Sequence, residues 1–127
     1  MGNNKCRVFL AGPMFSSGSM GNNLRNAFRI ATRLRKEGFL VHVPHMCFLW
    51  DLMLPEEREF WVEMDLEWLE TCHVIYRMPG SSMGADDEVA HASSSGVEIY
   101  SDKADPHGGD LPELRRLIVN YPGGSLK

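Results

Sequence analysis

The stretch that decides the fold is His73-Val74-Ile75-Tyr76-Arg77-Met78, followed directly by Pro79-Gly80-Ser81-Ser82-Met83-Gly84-Ala85-Asp86-Asp87-Glu88-Val89-Ala90-His91-Ala92. The apolar run 73–78 has the length and composition of a buried strand. Pro, Gly and Ser then turn the chain into a small-residue helix that carries Glu88 in its first or second turn. Backbone N–H groups at a helix start have no partner within the helix and attract anions. An acid held there can instead act on a bound substrate. Asp86, Asp87 and Glu88 would also complement the helix dipole without any further role, so on local grounds both readings stand.

Working outward, the same alternation repeats. Residues 6–11 form a strand-like run ended by Gly12-Pro13, and a Gly- and Ser-rich loop follows from Met14 to Gly21. That loop is either a connector or a ligand cradle. A helix starts near Asn22 or Asn23, carries Leu24, Ala27, Phe28, Ala31 and Leu34 at helical spacing, and ends at Gly38. Its arginines lie off that stripe and read as a solvated face. Residues 39–44 make a second strand closed by Pro44. Residues 45–55 read as irregular but apolar, a loop suited to covering a flat ligand or to a subunit contact. Residues 56–71 form a helix opened by Pro55 and two acids. Residues 96–100 give a fourth strand, 101–110 a polar loop and 111–120 a final helix.

Strands alternating with helices predict an α/β fold: a flavodoxin- or Rossmann-like parallel sheet of four to five strands, with helices on both faces. The expectation is a single domain over residues 1–127 with its core in 6–121. In such sheets ligands bind at the carboxyl ends of the strands, near a topological switch point. The loops after Gly12 and after Met78 both belong to that edge. Asp65 stands out within its helix, because it falls in the stripe of Trp61, Met64, Trp68 and Leu69. A carboxylate against an apolar wall is costly unless it is paired or put to use.

The bulk numbers narrow the function classes. The chain has 127 residues, 43% hydrophobic and 24% charged, with a net charge of −4. No basic run suggests a nucleic-acid groove, and no stretch approaches the ~20 apolar residues of a membrane span. Three cysteines without CxxC spacing suit reduced thiols and a cytoplasmic protein. Neither GxxxxGK[ST] nor GxGxxG nor GxSxG occurs. His42 and His45 have opposite parity on an extended segment, which disfavours a metal site; no metal and no cofactor is expected. A pair of carboxylates beside a phosphate-friendly loop suits cleavage of a glycosidic bond, with one acid at the sugar carbon and the other handling the leaving group's proton.

Val8-Phe9-Leu10-Ala11-Gly12-Pro13-Met14, Asn23 to Phe28 with Leu34, Met64-Asp65-Leu66-Glu67-Trp68-Leu69, and Ser82-Met83-Gly84-Ala85 with Glu88 and Ala92 occur in that order. Over roughly residues 7–100 this pattern resembles the nucleoside 2-deoxyribosyltransferase-like superfamily, whose small members include 2'-deoxynucleoside 5'-monophosphate N-hydrolases. The resemblance implies Glu88 as the nucleophile at C1' and Asp65 as the acid/base partner. It implies that Gly12, Pro13 and Met14 line the sugar pocket, and that Ser82, Met83 and Gly84 face the substrate. Ser82 stands where the transferases tend to carry an aspartate, as in the monophosphate hydrolases, and a hydroxyl accommodates a phosphate that an aspartate would repel. Two departures are Phe9, where the family often has a tyrosine, and a short segment between Tyr100 and Leu111. The expected function is an N-glycosidase of (deoxy)nucleoside 5'-monophosphates. The alternatives are a base-exchanging transferase and an inactive nucleotide-binding module. The expected partners are a small-molecule nucleotide or nucleoside and further copies of the chain, with no nucleic-acid polymer and no membrane.

Overall fold

The computed structural model describes residues 5–15 and 19–101. Four strands, β1 (Arg7–Ala11), β2 (Leu40–His42), β3 (Val74–Arg77) and β4 (Glu98–Ser101), form one all-parallel sheet in the order β2-β1-β3-β4. The connections contain α1 (Met20–Lys36) between β1 and β2, α2 (Cys47–Met53) and α3 (Arg58–Glu70) between β2 and β3, and α4 (Met83–Ser95) between β3 and β4.

Side chains alternate across the two central strands, as a period of two requires. Val8, Leu10, Val74 and Tyr76 pack on one face with Ala27, Ile30 and Leu34 of α1. Phe9, Ala11 and Ile75 pack on the other with Leu69 of α3 and with Ala85 and Ala92 of α4. Both faces of β1 and β3 are thus covered, which is why these strands read as continuous apolar runs. The α/β architecture with helices on both faces is present.

Local details depart from the sequence reading. The first helix begins at Met20, not at Asn22 or Asn23, because the Ser19 hydroxyl caps it by accepting from the Asn22 N–H at 3.1 Å. Asn23 is buried and donates from its side chain to the Met14 carbonyl at 3.0 Å, tying the loop after β1 to the helix. Phe28, placed in the apolar stripe, is 42% exposed; Ile30 is buried instead. Residues 45–55 are not irregular: a 3-10 turn (Pro44–Met46) leads straight into α2. Pro44 at the turn's first position supplies the fixed φ of a helix start, and residues 47–53 contain no glycine or proline. No residue of α2 is buried, so it lacks the apolar stripe by which a helix is recognised. The helix expected over 56–71 spans Arg58–Glu70, and the fourth strand starts at Glu98 because Gly96 serves as the left-handed cap of α4 at φ 78°. The helix expected at 111–120 lies outside the described residues.

Candidate active site

From β1 the chain passes through α1 to β2, on one side; from β3 it passes through α4 to β4, on the other. The two loops diverge at the carboxyl ends of adjacent strands, where a parallel sheet leaves a crevice. A cavity of about 560 Å³ opens there, within the size range of small-molecule sites. Gly12 and Met14 line it from the loop after β1, Asp65 from α3, Ser82, Met83 and Gly84 from the start of α4, and Glu88 from the next turn of that helix. Pro13 does not join them. It is buried beside a smaller cavity with Asn23 and Pro79, while its carbonyl accepts from His45 Nε2 at 3.1 Å.

The start of α4 is built from local bonds. Ser82 is the N-cap and its hydroxyl accepts from the Ala85 N–H at 3.1 Å. Arg77, the last residue of β3, donates to the carbonyls of Met78 and Gly80 and pairs with Asp86 at 3.0 Å, which fixes the loop before the helix. The three consecutive acids therefore have different surroundings. Asp86 pairs with Arg77 at the surface, Asp87 is exposed, and Glu88 is half-buried in the cavity.

Burial, reinforced by the negative charge of Asp65, pushes the Glu88 carboxyl up to about 8, against a smaller opposing pull from Arg77. At neutral pH and without ligand it therefore holds a proton. Asp65, whose side chain is 14% exposed, has two neighbours at 4.0 Å: the Cys47 thiol and His42 Nε2. Burial and the Asp65 charge raise the Cys47 thiol to about 11, so it stays protonated and directs its S–H toward the carboxylate. His42 is held between Phe9 and Trp68, with ring centroids 5.3 and 5.0 Å away. His45 lines the cavity, and burial pushes its pKa down. Because the Pro13 carbonyl can only accept, Nε2 carries the proton of this neutral imidazole.

The apolar segment 45–55, which the sequence left open between covering a ligand and contacting a subunit, supplies part of one wall of the cavity. Phe15, Phe48 and Trp61 line the cavity together with Asp51 and Arg58. Phe15 and Phe48 meet edge to face at 6.0 Å, and Trp61 is flanked by Phe60 and Trp50. The signal was the aromatic density of residues 48–61, which carried no hint of which rings turn inward. Among the described residues no three His, Cys, Asp or Glu side chains group as metal ligands, and no helix is long and apolar enough to cross a membrane.

A sequence-family comparison matches residues 7–102, the whole sheet and every helix around the cavity. The chain belongs to the family described as a domain of unknown function (DUF7768). No curated protein sequence matches it. Among solved structures it is similar to the 2-deoxyribosyltransferase from the psychrotolerant bacterium Bacillus psychrosaccharolyticus. The identity is 20% and the TM-score 0.53, over 79% of this chain and 75% of that one. At that identity the likeness shows a shared fold.

Proposed function

We propose that this domain is an N-glycosidase of 2'-deoxynucleoside 5'-monophosphates. The observation that carries the reading is the placement of Glu88 and Asp65 in one cavity at the switch point, with Glu88 raised to about 8 by burial and by its neighbour. Two carboxyl groups that share a site tend to share one proton; without ligand it rests on Glu88, and glycosidic cleavage requires that it pass to Asp65 when the substrate binds. In the reactive arrangement Glu88 is ionised and Asp65 carries the proton. A Glu88 oxygen bonds to C1' as the C1'–N bond breaks; the electron pair leaves with the base, which takes the proton of Asp65. Water then attacks C1', gives its proton to Asp65 and releases Glu88, yielding free base and deoxyribose 5-phosphate.

The 5'-phosphate is assigned to the start of α4, where Ser82, Met83 and Gly84 line the cavity and the first N–H groups of the helix have no partner within it. Gly12 and Met14 flank the sugar. The likeness to a 2-deoxyribosyltransferase favours a second reading, in which a free base rather than water takes the sugar from Glu88. A third reading, a nucleotide-binding module without turnover, is favoured by Phe9, which supplies no phenolic hydroxyl near the acids. The exposed Leu49, Leu52 and Met53 of α2 suit assembly with further copies of the chain, which sedimentation would register as a dimer or larger.

The test is incubation with each 2'-deoxynucleoside and its 5'-monophosphate, with and without a second free base, followed by chromatography. Free base plus deoxyribose 5-phosphate is the expected result. A new nucleoside or nucleotide would establish the transferase. Saturable binding without product would leave the binding module.

A further inference from the structure

The cleavage chemistry leaves one fixed carboxylate in the cavity unused. Asp51 Oδ1 accepts from the Trp61 indole Nε1–H at 2.7 Å and from the Glu56 backbone N–H at 2.9 Å. Both bonds fall on one oxygen, and Oδ2 receives none among the described residues. Two short bonds from two segments orient the carboxylate, and Asp51 itself lines the cavity. The flat rings of Phe48 and Trp61, and Arg58, the first residue of α3, line the same cavity. Arg58 makes no ion pair among the described residues. A flat apolar wall with an oriented acceptor and an unpaired guanidinium is the chemistry of a nucleobase-reading surface.

We propose that this wall reads guanine, with the free Oδ2 of Asp51 accepting from the ring N1–H and the adjacent 2-amino group while Arg58 donates to the O6/N7 edge. The inference rests on the reading that the cavity holds a nucleotide, and it deepens that reading by naming the base. Guanine presents two adjacent N–H donors. Adenine and cytosine each place an amino group beside a ring-nitrogen lone pair, and thymine flanks its N–H with two carbonyls. A fixed carboxylate repels those lone pairs, and guanidinium is the natural partner of O6 and N7.

The test is equilibrium binding of dGMP, dIMP, dAMP and dTMP, followed through tryptophan fluorescence, together with base release from each. Hypoxanthine is guanine without the 2-amino group. The wild-type protein is expected to bind dGMP at least about tenfold tighter than dIMP, the fold-change of one hydrogen bond to a charged acceptor. In Asp51→Asn the amide oxygen keeps the bonds from Trp61 and Glu56 while an N–H2 group replaces the free acceptor, and the ratio is expected to fall to within about twofold. Arg58→Gln, at an exposed position, is expected to weaken dGMP and dIMP alike and to keep their ratio. Equal binding of dGMP and dIMP by wild type overturns the inference, as does a preference that survives Asp51→Asn. Base release without guanine preference leaves the glycosidase reading intact and removes only the inference. Guanine-selective binding without base release does the reverse. Failure to bind any of the nucleotides removes both.

Discussion

Glutamine at position 88 keeps the shape of the side chain and cannot ionise. At pH 7 the unfolded chain ionises Glu88 freely, near its ordinary value of 4.5, whereas the folded protein holds the proton until about 8. Between those values the folded state binds more protons, so stability present at acid pH is lost as pH rises, until Glu88 ionises in both states. At 1.36 kcal/mol for each pH unit, the ceiling at pH 7 is about 3 kcal/mol. Glu88 keeps part of its surface in solvent, and screening there reduces the expected effect to about 2 kcal/mol. Glu88→Gln is therefore expected to stabilise the protein by about 2 kcal/mol at pH 7, a rise in Tm of about 6–10 °C for a domain of this size. At pH 4 the two proteins are expected to melt together. The assay is thermal or urea unfolding of both proteins at half-unit steps from pH 4 to 8.5. A wild-type stability that does not fall across that window relative to the variant would refute the reasoning, as would a variant less stable at pH 7. The same substitution is expected to remove turnover, so that stability gained and activity lost mark a residue placed for function.

The remaining expectations follow from neighbouring contacts. Catalysis by a carboxyl pair sharing one proton gives a bell-shaped kcat/KM profile whose alkaline limb falls near 8, where Glu88 loses its proton; a rate that keeps rising past that point would assign the proton elsewhere. Gly12→Ala places a methyl carbon into the Met78 side chain, overlapping Cε and lying 3.0 Å from Cβ, and is expected to cost about 1–3 kcal/mol in urea unfolding. Ser82→Ala removes the cap bond to the Ala85 N–H. It is expected to cost about 1 kcal/mol and to reduce the preference for deoxynucleoside monophosphates over deoxynucleosides in competition assays.

How much of this was legible in the sequence depended on whether a residue's partner lay nearby in the chain. Central strands β1 and β3 are apolar on both faces, and that composition marks them without knowledge of their neighbours. Helix α4 announced itself through the turn residues before it and the small residues within it. Helix α2 did not, because none of its residues is buried among the described residues and its apolar residues follow no stripe. Phe28 and Ile30 are both apolar and two residues apart, and only the position of the sheet decides which is buried. Glu88 and Asp65 were found by local anomaly, an acid at a helix start and an acid in an apolar stripe. Their meeting in one cavity depends on where α3 lies over the sheet, which no spacing encodes. Asp51 was missed because its partners lie outside its own helix, Glu56 in the break between α2 and α3 and Trp61 within α3. Pro13 follows Gly12 in sequence, yet it sits beside Asn23 and Pro79, outside the larger cavity.

The most direct test of the central claim is base release from a 2'-deoxynucleoside 5'-monophosphate under single-turnover conditions, comparing wild type with a Glu88→Gln protein shown by melting to be folded. Stoichiometric free base and deoxyribose 5-phosphate from wild type, and neither from the variant, is the predicted result. Equal release by both proteins, or none by either despite bound nucleotide, would contradict it.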